Sequence, residues 1–421
     1  MAHKILKILG WFYVMVGLSC NQWVLGRLFS PGGRIDELNL KLIILLFEVF
    51  MITFGIITLK KKDGLILELN LLLWTIIIVT PLLGELLFRT GILLNIKNIK
   101  SPSLYADPDA DDDYWNLYRY WEQGQLKAFM HVNGQLLRKY KRIHPLLGWT
   151  EANITMNNPL GLQEDSLKQL GSMNPKILFY GDSFVKGMSD KEFIIPRYMN
   201  SKISRMDVIN MGVGGYGLDQ IYQLFKETYQ KAHDPLILVG ILGNDDLDRT
   251  ILTVRRSQKP YFIIDTSGNL QLKGVPIEKD QRKYFENHPL SIKSYFFAYI
   301  KQKLFAQENK IDMKKQISSK LLELFKLNSD NAKDKLIFIL FYRESSLSNT
   351  DWQEKFLKDA LQQMGAHYID TKDILLQYAR DKNLKLSMFY KQKSQHHNNL
   401  GNQVIAEGII KYLRSNNYIK S

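Results

Sequence analysis

An α/β fold with a parallel sheet, set behind a membrane-inserting N-terminal region, is the class this sequence predicts. Three observations carry that expectation. From Lys176 onward short apolar runs alternate with segments of helical spacing, the pattern left by a parallel sheet covered with helices on both faces. Two of those runs end in turn residues that bear functional groups, Gly181-Asp182-Ser183 and Gly243-Asn244-Asp245. The N-terminal quarter, by contrast, holds three long apolar stretches.

At 421 residues and 49.1 kDa the chain has room for more than one domain. The net charge of +14 suits nucleic acid, an anionic membrane surface or an acidic polymer. No zinc-finger spacing and no basic helix interleaved with aromatics is present, so nucleic acid is set aside as a partner. Cys20 is the single cysteine, which excludes a disulfide framework and a cysteine metal site within one chain.

Ile5 to Leu25, Leu40 to Leu59 and about Leu65 to Phe88 are each near the ~20 residues that a spanning helix needs. The first, opened by Lys4 and Lys7, also fits a cleaved signal peptide. Gly17-Leu18-Ser19-Cys20 is a poor lipoprotein site, because a glycine stands where a leucine is wanted. With no soluble domain between the second and third stretches, three transmembrane helices over residues 1–95 are expected. Lys4, Lys7 and Lys60 to Lys62 would share one side, and Arg27, Arg34, Lys41, Arg89, Lys97 and Lys100 the other. The counts are close, but the triple lysine is the densest cluster and is placed in the cytoplasm. That makes the protein multi-pass, held by the lipid bilayer, with its C-terminal domain periplasmic or extracellular. Glu48, Glu68 and Glu85 fall in or near the spans, where a carboxylate is either functional or sits at an interface or against a neighbouring helix.

Residues 96–144 read as a linker and an amphipathic helix. The aspartates between Ser101 and Asp113 lack the glycine and closing glutamate of an EF-hand and are read as a solvated linker. Tyr114 to Tyr140 carries apolar residues at helical spacing. In the remaining 145–421, strands are expected at Ile177–Tyr180, Met206–Asn210, Pro235–Leu242, Leu336–Phe341 and Ala366–Ile369. Helices follow at Asp351–Met364, from Thr371, and from Gly401 to about Leu413. An insertion over about 250–327 holds a hairpin, Tyr261 to Leu272, turning at Ser267-Gly-Asn.

Strand ends of an open α/β sheet converge on one edge, where such proteins place their sites. The first strand offers Ser183, the second the cluster Gly212 to Gly217, the third Asn244, and His396 or His397 precedes the last helix. Each has a plain structural alternative: a helix cap, a tight turn, a loop cap, surface histidines. Together they supply what acyl transfer needs, a nucleophile, a base and donors aimed at an oxyanion.

These four blocks, in this order, resemble the SGNH/GDSL hydrolases. Gly181-Asp-Ser-Phe184 matches the first block, Asn210 to Gln220 the second and Gly243-Asn-Asp245 the third. His396-His-Asn-Asn-Leu-Gly401 matches the last, its spacing to the glycine selecting His396 over His397. His144-Pro-Leu-Leu-Gly-Trp149 is similar to the entry segment of membrane-anchored bacterial members. The resemblance implies a three-layer, flavodoxin-like sandwich with Ser183 as nucleophile and His396 as base. The N–H groups of Ser183 and Gly215 and the amide of Asn244 would form the oxyanion hole. It implies no metal and no organic cofactor, and an O-acyl ester of a carbohydrate or lipid as substrate for hydrolysis or transfer.

One departure stands out. The family carries an aspartate two or three residues before the histidine, and here those positions are Ser394 and Lys393. Three explanations follow: a Ser–His dyad held by a backbone carbonyl or by Ser394, an acid recruited from elsewhere with Asp370 nearest, or a degenerate protein that only binds. In the last case the chain would be a tethered binding module in envelope polysaccharide assembly.

Overall fold

The computed structural model of the chain describes residues 2–29, 38–60, 64–94, 142–255, 257–279, 294–305, 308–329, 335–392 and 394–420, with Ile96 and Lys283 singly. The expected aspartate linker and the helix over 114–140 lie outside the described residues. Contacts divide the chain into two compact units, Met1–Asp112 with Leu290–Asp312, and Asp113–Pro289 with Met313–Ser421. The insertion expected within the α/β domain is therefore shared between them.

In the first unit, helices α1 (Ala2–Ser19), α2 (Gln22–Phe29), α3 (Leu38–Lys60) and α4 (Gly64–Leu93) form. Two described helices are long and apolar enough to cross a membrane, Lys41–Lys60 and Gly64–Leu93. The first expected span is broken instead. Asn21 accepts from the N–H groups of Trp23 (3.0 Å) and Val24 (2.9 Å), capping α2 and ending the continuous apolar helix. α1 packs against α3 where glycines remove side chains: a Cβ on Gly10 would fall 2.6 Å from Leu59 Cγ. Glu85 accepts from Ser294 Oγ (2.7 Å) and the Phe296 N–H (2.9 Å), so this carboxylate caps the helix Tyr295–Phe305.

The second unit is built on five parallel strands: β1 (Lys176–Gly181), β2 (Asp207–Gly212), β3 (Leu236–Leu242), β4 (Leu336–Phe341) and β5 (His367–Asp370). Their spatial order is β5-β4-β3-β1-β2. β1, β3 and β4 are buried along their whole length, as continuous apolar runs require when helices cover both faces. One face carries Ile195–Lys202, α8 (Thr371–Lys382) and α9 (Asn399–Ser415), packed on one another. On the other, α6 (Leu218–Thr228) meets the helix Glu308–Asn328, with the Phe225 and Phe325 rings 5.0 Å apart.

Chain order reverses between β1 and β3, so the switch point, where such sheets bind ligands, lies at the carboxyl ends of those two strands. α5 (Ser183–Lys186) leaves β1 there, and α7 (Gly243–Thr250) leaves β3. Gly212 ends β2 beside them, and a Cβ on it would stand 2.2 Å from the Lys186 backbone nitrogen; only glycine lets α5 settle that close. The insertion's expected hairpin pairs Tyr261–Ile264 with Leu270–Lys273. It is tied to α6 by a fully buried ion pair, Lys259 to Asp219, in which Lys259 also donates to the carbonyls of Arg249 and Leu252.

Candidate active site

Ser183 is the first residue of α5, and the Asp182 carboxylate caps that helix by accepting the Phe184 N–H at 2.8 Å. Backbone N–H groups at a helix start have no intrahelical acceptor, so the Ser183 N–H is available there. Its hydroxyl lies 2.9 Å from His396 Nε2 and 3.2 Å from Asp182 Oδ2. On the far side of the imidazole, Nδ1 meets the Ser394 backbone carbonyl at 2.9 Å. A carbonyl only accepts, which assigns the proton to Nδ1 and leaves Nε2 bare to accept from Ser183. The ring thus holds the tautomer of a general base without a carboxylate behind it. Burial, above all, lowers the His396 pKa; Asp182 and the Ser394 carbonyl oppose the shift, and Arg343 adds to it. The imidazole is therefore neutral at pH 7.

The loop that supplies this carbonyl is closed on itself. Lys391 N–H donates to the His396 carbonyl (2.8 Å), Gln395 N–H returns to the Lys391 carbonyl (3.0 Å), and Gln395 takes a left-handed backbone. His397, the neighbour set aside by spacing, is buried among Phe184, Phe341 and Tyr390. Burial pushes its pKa down to about 3, and neither ring nitrogen has a hydrogen-bond partner among the described residues.

Among the glycines after β2, Gly215 has φ +85°, a conformation that side chains disfavour. The Gly214 N–H is taken by Glu151 (2.8 Å), whereas the Gly215 N–H has no acceptor among the described residues. Gly215, Ser183 and His396 line one cavity of ≈ 460 Å³. Two candidate residues stand elsewhere. The Asn244 amide turns to Ser346 Oγ at 3.4 Å, and the residue presented to the cavity is its neighbour Asp245. α7 begins at Gly243, and each step along a helix turns a side chain by about 100°. A shift of one residue therefore decides which side chain faces the cavity. Asp370 caps α8 through the Lys372 N–H (2.8 Å) and pairs with Lys358 (2.6 Å); its carboxylate is not the partner of His396.

Further residues line the cavity, none of them a candidate site residue from the sequence. Trp149 closes one wall, its indole donating to the Gly214 carbonyl at 3.0 Å. Arg249 is held by Asp182 (3.0 Å), Asp246 (3.2 Å) and Asp245, and Arg343 also reaches Asp245. Their sequence neighbourhoods are unremarkable because the fold alone brings them together.

No protein-family model matches the chain, and no curated protein matches it. Solved structures do align with it. The lipase/acylhydrolase from Enterococcus faecalis shares 14% identity, with a TM-score of 0.34 over 58% of this chain and 97% of its own. A member of the lipolytic G-D-S-L family from Veillonella parvula shares 12%, TM-score 0.33, over 56% and 96%. A catalytic mutant of the acetylxylan esterase Axe2 from Geobacillus stearothermophilus shares 13%, TM-score 0.33, over 58% and 96%. Likeness at this level assigns no chemistry. The chain itself holds a doubly wound α/β unit with a serine–histidine pair at its switch point.

Proposed function

We propose that this chain is an SGNH/GDSL-type serine esterase or O-acyltransferase, acting on an O-acyl ester of a carbohydrate or lipid. The observation that carries the reading is the 2.9 Å contact of Ser183 Oγ with His396 Nε2, in a ring whose other nitrogen is committed to the Ser394 carbonyl. His396 takes the Ser183 proton as Oγ attacks the ester carbonyl. The oxyanion is met by the N–H groups of Ser183 and Gly215. His396 then returns the proton to the departing alcohol, and water or an acceptor hydroxyl releases the acyl group from Ser183. Asn244 joins the oxyanion hole only by turning away from Ser346.

Anchoring by the apolar helices is part of the same proposal. Lys60 to Lys62, which stand in the sequence between the apolar residues of α3 and those of α4, would face the cytoplasm and send the α/β unit to the outer side. That placement holds with two spans or three. In the test, the full chain in detergent hydrolyses a short-chain aryl ester, and Ser183→Ala abolishes the activity while leaving thermal unfolding unchanged. Activity that survives the substitution contradicts the mechanism. The second reading, a binding module in envelope polysaccharide assembly, is favoured by one observation: the Asn244 amide is aimed away from the cavity. It expects no turnover from either protein.

A further inference from the structure

The cavity that holds Ser183 is lined by four cationic side chains, Arg142, Lys186, Arg249 and Arg343, against two carboxylates, Glu151 and Asp245. Their pairing is uneven. Lys186 is matched by Glu151 at 2.5 Å, and Arg249 is committed to Asp182, Asp245 and Asp246. Arg343, 41% exposed, shares Asp245 with Arg249 and has further N–H donors on its guanidinium. Arg142 pairs with no carboxylate among the described residues, although its own backbone carbonyl is fixed by the Thr150 N–H (2.9 Å) and hydroxyl (3.2 Å). Two guanidinium groups with unspent donors therefore border an ester-sized cavity beside an aromatic wall, Trp149.

Resting on the esterase reading of the same site, we propose that the substrate carries an anionic group, a carboxylate or phosphate near the scissile ester, held by Arg142 and Arg343. Guanidinium donors suit both anions, whose planar or tetrahedral oxygens accept paired N–H bonds. A neutral acylated sugar leaves these charges unanswered, so the site selects by charge as well as by shape.

The test separates binding from turnover. In the full-length Ser183→Ala chain in detergent, Trp149-sensitive fluorescence follows titration with methyl glucoside, methyl glucuronide and methyl glucoside 6-phosphate. At least one anionic glycoside is expected to bind about tenfold tighter than the neutral one, and Arg142→Gln to erase most of that advantage. The glucuronide and phosphate arms distinguish which anion the site takes. Added salt should weaken the anionic ligand selectively. Equal binding of all three glycosides, or an anion preference that Arg142→Gln leaves intact, overturns the proposal. Preference without hydrolysis of any acetylated counterpart by the unsubstituted chain sinks the esterase reading and leaves the anion site standing.

Discussion

Ser183 and His396 reach one hydrogen bond from supports of opposite kind. The serine stands at the end of β1, buried along its whole length, on a helix capped by a carboxylate that Arg249 holds in turn. The histidine stands on an exposed loop closed by two backbone hydrogen bonds and one left-handed residue, and its ring is steered by a carbonyl of that loop. A carbonyl fixes a tautomer as well as a carboxylate does, but brings no full charge to stabilise an imidazolium. The serine's half is thus held by burial and ion pairs, whereas the histidine's half depends on loop geometry.

The largest expected effect comes from removing the base. His396→Ala should lower kcat/KM by on the order of 10⁴ or more, measured on the aryl ester. The pH profile of the unsubstituted chain sharpens the point. Because burial lowers the His396 pKa, the neutral ring persists below the ordinary histidine value, and kcat/KM should fall only as pH drops below about 6.5. An acid limb centred above that value contradicts the assignment.

Next comes the carbonyl. If only the orienting charge is missing, Ser394→Asp should raise kcat/KM by about tenfold, a gain of ~1.4 kcal/mol. Ser394→Ala, which keeps the carbonyl, should stay within about threefold of the parent. Asp370→Asn should leave turnover alone, yet cost about 1 kcal/mol of stability, because Lys358 loses one of its two carboxylates and keeps only Glu354. A collapse of activity in Asp370→Asn would restore the recruited-acid explanation. The smallest effect is expected at Asn244. With its amide on Ser346, Asn244→Ala should change kcat by less than about fivefold; a loss of 10²–10³ would mean that the side chain swings into the oxyanion hole.

The same contrast explains what the sequence let one read. Buried strands declare themselves as apolar runs: Leu336–Phe341 is the strand expected, and β1, β2, β3 and β5 differ from expectation by one or two residues at their ends. Gly181-Asp-Ser183 and the spacing from His396 to Gly401 are local patterns, so both were legible. Asn244 was not separable from Asp245, since the turn of α7 that selects between them depends on where the helix begins. The segment ending at Trp149 was legible as a motif, but Arg142 and Arg343 were invisible as site residues, because they lie about two hundred residues apart in the chain and meet only through the fold. In the N-terminal unit, hydropathy marked the two long helices but hid the break at Asn21, where one polar cap outweighs an apolar run.

The central claim is that His396, steered by a carbonyl alone, activates Ser183. Fluorophosphonate labelling of the full chain tests it most directly, since the probe reacts only with an activated serine. The account predicts stoichiometric labelling of the unsubstituted chain, none of Ser183→Ala, and little of His396→Ala. A parent chain that stays unlabelled, or a Ser183→Ala chain that labels as the parent does, would contradict it.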